Sequence, residues 1–183
     1  VFEDLGLAGL KLITPKKFGD DRGFFCETHN AQTWERAGLH YNFVQDNHSL
    51  SRDLGTLRGL HFQSAPFAQD KLVRVVRGRI LDVAVDLRRS SPTFKKYIVV
   101  ELSYENWKQL LIPIGFAHGF VTLEPDTEVL YKVTNFYSPA HDLGVAWDDP
   151  ELNIKWPIKK SDIILSSKDQ KLPQLSEVET LFP

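Results

Sequence analysis

Apolar and polar residues alternate with a period of two along much of the chain, in short runs. Over residues 79–87 (RILDVAVDL), Leu81, Val83, Val85 and Leu87 fall on one side and Ile80, Asp82, Ala84 and Asp86 on the other, the pattern of a half-buried strand. Arg77-Gly78 predicts a turn that folds residues 72–76 back onto this strand as a hairpin. The same reading predicts strands over residues 97–102, 109–112, 119–123 and 127–134. Residues 44–47 and 57–63 are shorter and more polar, which suggests strands whose side chains line a cavity. One helix is predicted early, over residues 31–37 (AQTWERA), with Asn30 as its N-cap and Gly38 at the left-handed position after it. From Asp162 onward the tail carries at most another helical turn or two. Many short strands with little helix indicate an all-β sandwich or barrel, and a jelly roll encloses room for a small ligand.

Length and composition narrow the class. The 183 residues are the length of one domain, and 42% hydrophobic residues suffice for a core. Lys and Arg total 22 against 24 Asp and Glu, for a net charge of −2. That balance argues against a surface that tracks nucleic acid. Cys26 is the single cysteine, so neither an internal disulfide nor a cysteine zinc site is available, and a reduced cytoplasmic protein is the expectation. The most apolar stretch, residues 110–123, is broken by Pro113, Gly115, His118 and Gly119 and reads as core, not membrane. No basic patch followed by an apolar run opens the chain, so no signal peptide is read.

The densest polar cluster is VQDNHSLSRDLGTLRGLHFQ, residues 44–63. Gln45 and Asn47 share a face, as do His61 and Gln63, while Leu57, Leu60 and Phe62 supply the apolar side. An exposed sheet face and the wall of a ligand cavity both fit this pattern. The cavity accounts better for so many polar groups beside apolar ones. A second signal, Pro113 to His118 (PIGFAH), fits P-x-G-x-x-H and looks like the second motif of the cupin superfamily of jelly rolls. His118 is read either as a core histidine with a partner or as a cavity residue. Metal-binding cupins carry an H-x-H pair on the matching strand, where this chain reads His61-Phe62-Gln63. A neutral amide is a poor ligand for transition metals, so no metal is expected. His61, Lys71, Arg22, Arg58 and Tyr131 remain as chemistry-bearing groups. Tyr131 shares a face with Val129 and Val133, and its hydroxyl serves either a structural hydrogen bond or acid–base work. Two arginines suit a diphosphate, with structural salt bridges as the alternative.

Several segments together resemble the dTDP-4-dehydrorhamnose 3,5-epimerase family: FGDDRGFFCE (residues 18–27), FVQDNHS (43–49), LRGLHFQ (57–63), QDKLVR (69–74), IPIGFAHGFVTL (112–123), LYK (130–132) and LSSKD (165–169). The resemblance runs from about Pro15 to Pro173 in constant order. It implies one cupin-type jelly-roll domain over residues 1–183, acting without a cofactor on the ketone of dTDP-4-dehydro-6-deoxy-D-glucose, in the route to dTDP-L-rhamnose. It implies His61 as proton acceptor, Tyr131 as proton donor, Asp169 as the partner that orients His61, and Lys71 beside the keto oxygen. Arg22, Glu27, Gln45, Asp46, Asn47, Arg58, His118, Asp142 and Lys168 would contact the sugar nucleotide, although the loop holding Asp142 looks divergent. A homodimer exchanging an N-terminal strand is also implied, bringing a residue such as Arg22 or Glu27 into the partner's site, with a C-terminal tail from about residue 162 closing the cavity. Relatives that epimerise one carbon only, or that isomerise the keto sugar, share these features.

Overall fold

The computed structural model of the protein describes residues 1–183. Its thirteen strands are β1 (Phe2–Asp4), β2 (Lys11–Ile13), β3 (Lys17–Asp20), β4 (Gly23–Cys26), β5 (Gln45–Ser51), β6 (Leu57–Gln63), β7 (Lys71–Arg77), β8 (Arg79–Asp86), β9 (Tyr97–Ser103), β10 (Gln109–Ile112), β11 (Phe116–Thr122), β12 (Thr127–Val133) and β13 (Asp142–Gly144). One sheet runs β1-β2-β10-β7-β12-β5 and the second β13-β6-β11-β8-β9, with β3-β4 as a separate hairpin. Neighbouring strands in these sheets are antiparallel. Two facing antiparallel sheets make the expected all-β jelly roll.

Side-chain period decides the layers. Val73, Val75 and Val129 of the first sheet meet Ile80, Ala84, Phe116 and Phe120 of the second in the central core. Alternate residues point the other way. Leu72 and Leu111 cover the back of the first sheet against Trp34 of helix α1 (Ala31–Arg36). Leu60, Phe62, Val83 and Val85 cover the back of the second, against Leu152, Leu175 and Val178 of the C-terminal segment. Helix α1 starts as anticipated, with Asn30 Oδ1 accepting from Thr33 N at 3.1 Å. Gly38 follows it at φ +76°. The tail forms three 3-10 turns, Lys160–Asp162, Asp169–Lys171 and Leu175–Glu177.

Two expectations change. The turn at Gly78 does not close a hairpin: β7 pairs with β10 and β12, whereas β8 pairs with β11 and β9. The chain crosses there from one sheet to the other, so that Val73 and Val75 of β7 meet Ile80 and Ala84 of β8 across the core. Nor is β8 half-buried. Both of its faces are covered, and Asp82 and Asp86 on the inner face are fully buried. Asp86 is satisfied by Arg88, Ser91 and Thr93, which hold its carboxyl down to about 2 against the opposing effect of burial.

Candidate active site

A cavity of about 340 Å³ opens between the two sheets, and its walls come from both. Strand β6 contributes His61 and Gln63, β7 contributes Lys71, β12 contributes Tyr131, and β5 contributes Gln45 and Asn47. Asp142 and Tyr137 close one side. A bulge sets the aim of β6. Arg58 pairs with Phe120 and His61 with His118, so two residues on β6, Gly59 and Leu60, stand against one on β11, Gly119. Without the extra residue, Arg58 and His61 would face opposite ways. Gly59 sits in the bulge at φ +127°, where a Cβ would lie 2.6 Å from Gly119 Cα and 2.8 Å from His118 O. No other residue type fits there.

His61 Nε2 lies 2.6 Å from Asp169 Oδ1. The carboxylate can only accept, so the imidazole proton resides on Nε2 and Nδ1 is the bare nitrogen. Burial alone would raise the Asp169 pKa, but hydrogen bonds from His61 and the Gly59 N–H hold it below the ordinary value. Tyr131 moves the other way: burial raises its pKa, against the pull of Arg58, and the phenol keeps its proton. Burial draws the Lys71 ammonium down to about 8, with Asp142 and Asp82 supporting its charge. Its Nζ donates to His61 O at 3.4 Å. The arrangement holds a bare imidazole nitrogen, a protonated phenol and a cation around one space.

The remaining predicted residues divide. His118 stands opposite His61 on β11 and is nearly buried, its Nε2 2.8 Å from Asp82 Oδ1. It therefore has a core partner and also stands beside the base on the neighbouring strand. The second oxygen of Asp82 is buried without a hydrogen-bond partner, an arrangement that costs about 1–3 kcal/mol unless nearby charge compensates; Lys71 supplies that charge. Asp142 pairs with Lys168 and accepts from Tyr137 Oη at 2.9 Å. Arg58 donates to Ser51 Oγ at 3.2 Å and Leu50 O at 3.1 Å. Asp46 does not line this cavity. Alternation on β5 turns it away from the cavity, and it bonds Lys132 Nζ at 2.8 Å on the outer face of the sheet. Arg22 and Glu27 are also outside. Both are exposed, and Arg22, on the β3-β4 hairpin, bonds only Asp20. Asp82 and Tyr137 were missed: Asp82 falls on the aspartate-bearing side of a strand read as half-buried, and Tyr137 follows a strand end where no period operates.

A two-sheet jelly roll that gathers an imidazole–carboxylate pair, a phenol and a lysine around a cavity defines an acid–base enzyme of the isomerase type. Residues 4–177 match the family model described as dTDP-4-dehydrorhamnose 3,5-epimerase. The protein of that name from Sinorhizobium fredii is 51% identical over 181 residues, covering 99% of this chain and 92% of its own length. The crystal structure of the Bacillus anthracis protein of that name, with TDP and PPi bound, is 52% identical with a TM-score of 0.93 over 96% of this chain and 99% of that one. The Legionella pneumophila dTDP-6-deoxy-D-glucose-3,5-epimerase, solved in complex with dTDP-4-keto-L-rhamnose, is 43% identical with a TM-score of 0.93 over 98% and 94%. The chain belongs to the dTDP-4-dehydrorhamnose 3,5-epimerase family.

Proposed function

We propose that the protein inverts carbons 3 and 5 of dTDP-4-dehydro-6-deoxy-D-glucose, giving dTDP-4-dehydro-L-rhamnose, with His61 as base and Tyr131 as acid. The observation that carries this reading is that the two groups line one cavity from opposite sheets, His61 on β6 and Tyr131 on β12. Carbons 3 and 5 both flank the ketone at carbon 4. His61 Nδ1 removes a ring proton, and the C–H electron pair moves onto the ketone oxygen as an enolate. Asp169 stabilises the imidazolium that forms. A neutral imidazole is far too weak a base to make a free enolate, so the developing oxyanion must be met by positive charge, supplied by Lys71. Tyr131 then donates its proton to the same carbon from the opposite face, which inverts it; the imidazolium gives its proton to water and the phenolate takes one back, which resets the pair for the other carbon.

The exposed cations and the hairpin fit the rest of the substrate. Lys168 and Arg58 serve the diphosphate, with His118, Asn47 and Asp142 toward the sugar. Phe18, Phe24 and Phe25 are exposed on the β3-β4 hairpin beside Arg22. A second copy of the chain that covers these rings would receive Arg22 and Glu27 at its own cavity, forming a homodimer. No helix is long and apolar enough to cross a membrane, and a nucleotide-linked substrate fits action in the cytoplasm. Proton NMR in deuterium oxide with the dTDP-keto sugar tests the reaction. Both ring protons should exchange with inversion, and His61→Ala should stop exchange at both carbons while dTDP still binds. Exchange that persists at either carbon in His61→Ala would assign the base elsewhere.

A further inference from the structure

Gln63 lines the cavity, yet both ends of its amide are engaged by backbone. Its Nε2 donates to Phe67 O at 2.6 Å and to Phe136 O at 3.1 Å, and its Oε1 accepts from Ser138 N at 2.7 Å. Two more glutamines grip the same stretch. Gln69 Nε2 donates to Asn135 O at 2.7 Å, and Gln45 Oε1 accepts from Tyr137 N at 3.1 Å. Each of four successive residues, 135 to 138, thus has one backbone group held by a glutamine side chain. The stretch has no regular secondary structure and would otherwise need water for these groups. The three amides come from different places: the start of β5, the end of β6 in the opposite sheet, and the loop before β7.

We infer that Gln45, Gln63 and Gln69 are positioning residues, which hold residues 135–138 as a preformed wall so that Tyr137 stands at the cavity mouth before the sugar nucleotide arrives. The inference rests on the cavity being the substrate site. Tyr137 is the side chain that this wall presents to the cavity, and its hydroxyl ties the wall to Asp142. An amide suits the task because one group both donates and accepts, and it carries no charge to compete with Lys71 or the substrate. A loop already in its bound form does not have to be ordered by the ligand, so the benefit falls on binding rather than on proton transfer.

A kinetic double-mutant cycle tests this. Gln63→Leu removes three neutral hydrogen bonds and should raise KM about 10-fold or more, with a much smaller fall in kcat. Tyr137→Ala should raise KM as well. The double variant should match Tyr137→Ala to within about twofold, because a wall with nothing to present has no further effect to lose. Multiplying effects would show that Gln63 acts on the substrate independently of Tyr137 and would overturn the inference. An unchanged KM in either single variant would overturn it too. If Gln63→Leu does not fold, Gln69→Ala, which loses one bond at a partly exposed position, enters the same cycle under the same criterion. His61→Ala, run alongside, separates the two readings. If exchange is lost there while the cycle multiplies, only the clamp fails.

Discussion

Replacing Asp169 with asparagine keeps the shape of the side chain and removes its charge. In the parent, Asp169 Oδ1 sits 2.6 Å from His61 Nε2 and the carboxyl is 5% exposed, so little water shields the pair. Proton abstraction turns a neutral imidazole into a cation beside this carboxylate. Unit charges about 4 Å apart at an effective dielectric of about 20 attract by roughly 4 kcal/mol. If half of the imidazolium charge has developed in the transition state, about 2 kcal/mol is lost, and if all of it has, about 4. Abstraction should therefore slow by about 30- to 1,000-fold. The asparagine can also present its N–H₂ to Nε2, which moves the proton to Nδ1 and disables the base, so the upper end is expected. Single-turnover wash-in of deuterium at carbons 3 and 5, followed by proton NMR, measures this directly. Both rates should fall by the same factor, because one base serves both carbons, while dTDP affinity holds. Exchange within about threefold of the parent, or a fall at one carbon alone, would refute the assignment. Because its pKa is depressed in the fold, Asp169 contributes stability above the ordinary carboxylate range and loses it as pH falls through the lowered value. Asp169→Asn should therefore flatten the acid limb of the stability profile, read by denaturant unfolding.

Tyr131→Phe keeps the ring and removes the proton donor, so exchange at His61 should persist while inversion falls about 100- to 10,000-fold; unchanged double inversion would give the hydroxyl a structural role. Lys71 is neutralised as pH rises past about 8, so kcat should decline above that pH, and Lys71→Met should lower it about 100- to 1,000-fold at neutral pH; a flat alkaline profile would remove Lys71 from the oxyanion. Prolonged chelation should leave turnover intact, whereas loss restored by one specific divalent ion would return the chain to metal chemistry. Mixing inactive Arg22→Ala and His61→Ala variants should recover part of the activity, since a mixed dimer holds one complete site; no recovery, with a monomeric mass by sedimentation, would keep the hairpin out of the partner.

The layers were legible because burial follows a period that the residues display. Within β8, Val83 and Val85 against Ile80 and Ala84 separate two faces in the bare sequence, but the aspartates among the second set read as a solvent side where the structure has core. The polar wall formed by Gln45, Asn47, His61 and Gln63 was legible too. Pairing between strands was not legible. The Arg77-Gly78 signal marks a sharp turn equally well whether the chain doubles back within a sheet or crosses to the facing one. Alternation also misleads at a bulge: Leu57 and Leu60, three residues apart, lie on one side only because Gly59 is an extra residue in β6. Family resemblance brought Asp46 into the site, yet two-residue alternation on β5 already set it opposite Gln45 and Asn47. The salt link that the local strand gives Asp46, to Lys132, depends on register with β12 and has no signature in either segment.

His61 and Asp169 are 108 residues apart, and the later member arrives on a 3-10 turn of the tail, after both sheets are complete in the chain order. The base therefore takes its tautomer from a segment that belongs to neither sheet. Leu175 and Val178, packed against the back of the second sheet, anchor the segment that holds Asp169 at the imidazole, so damage to that apolar seam reaches the chemistry without touching the cavity wall.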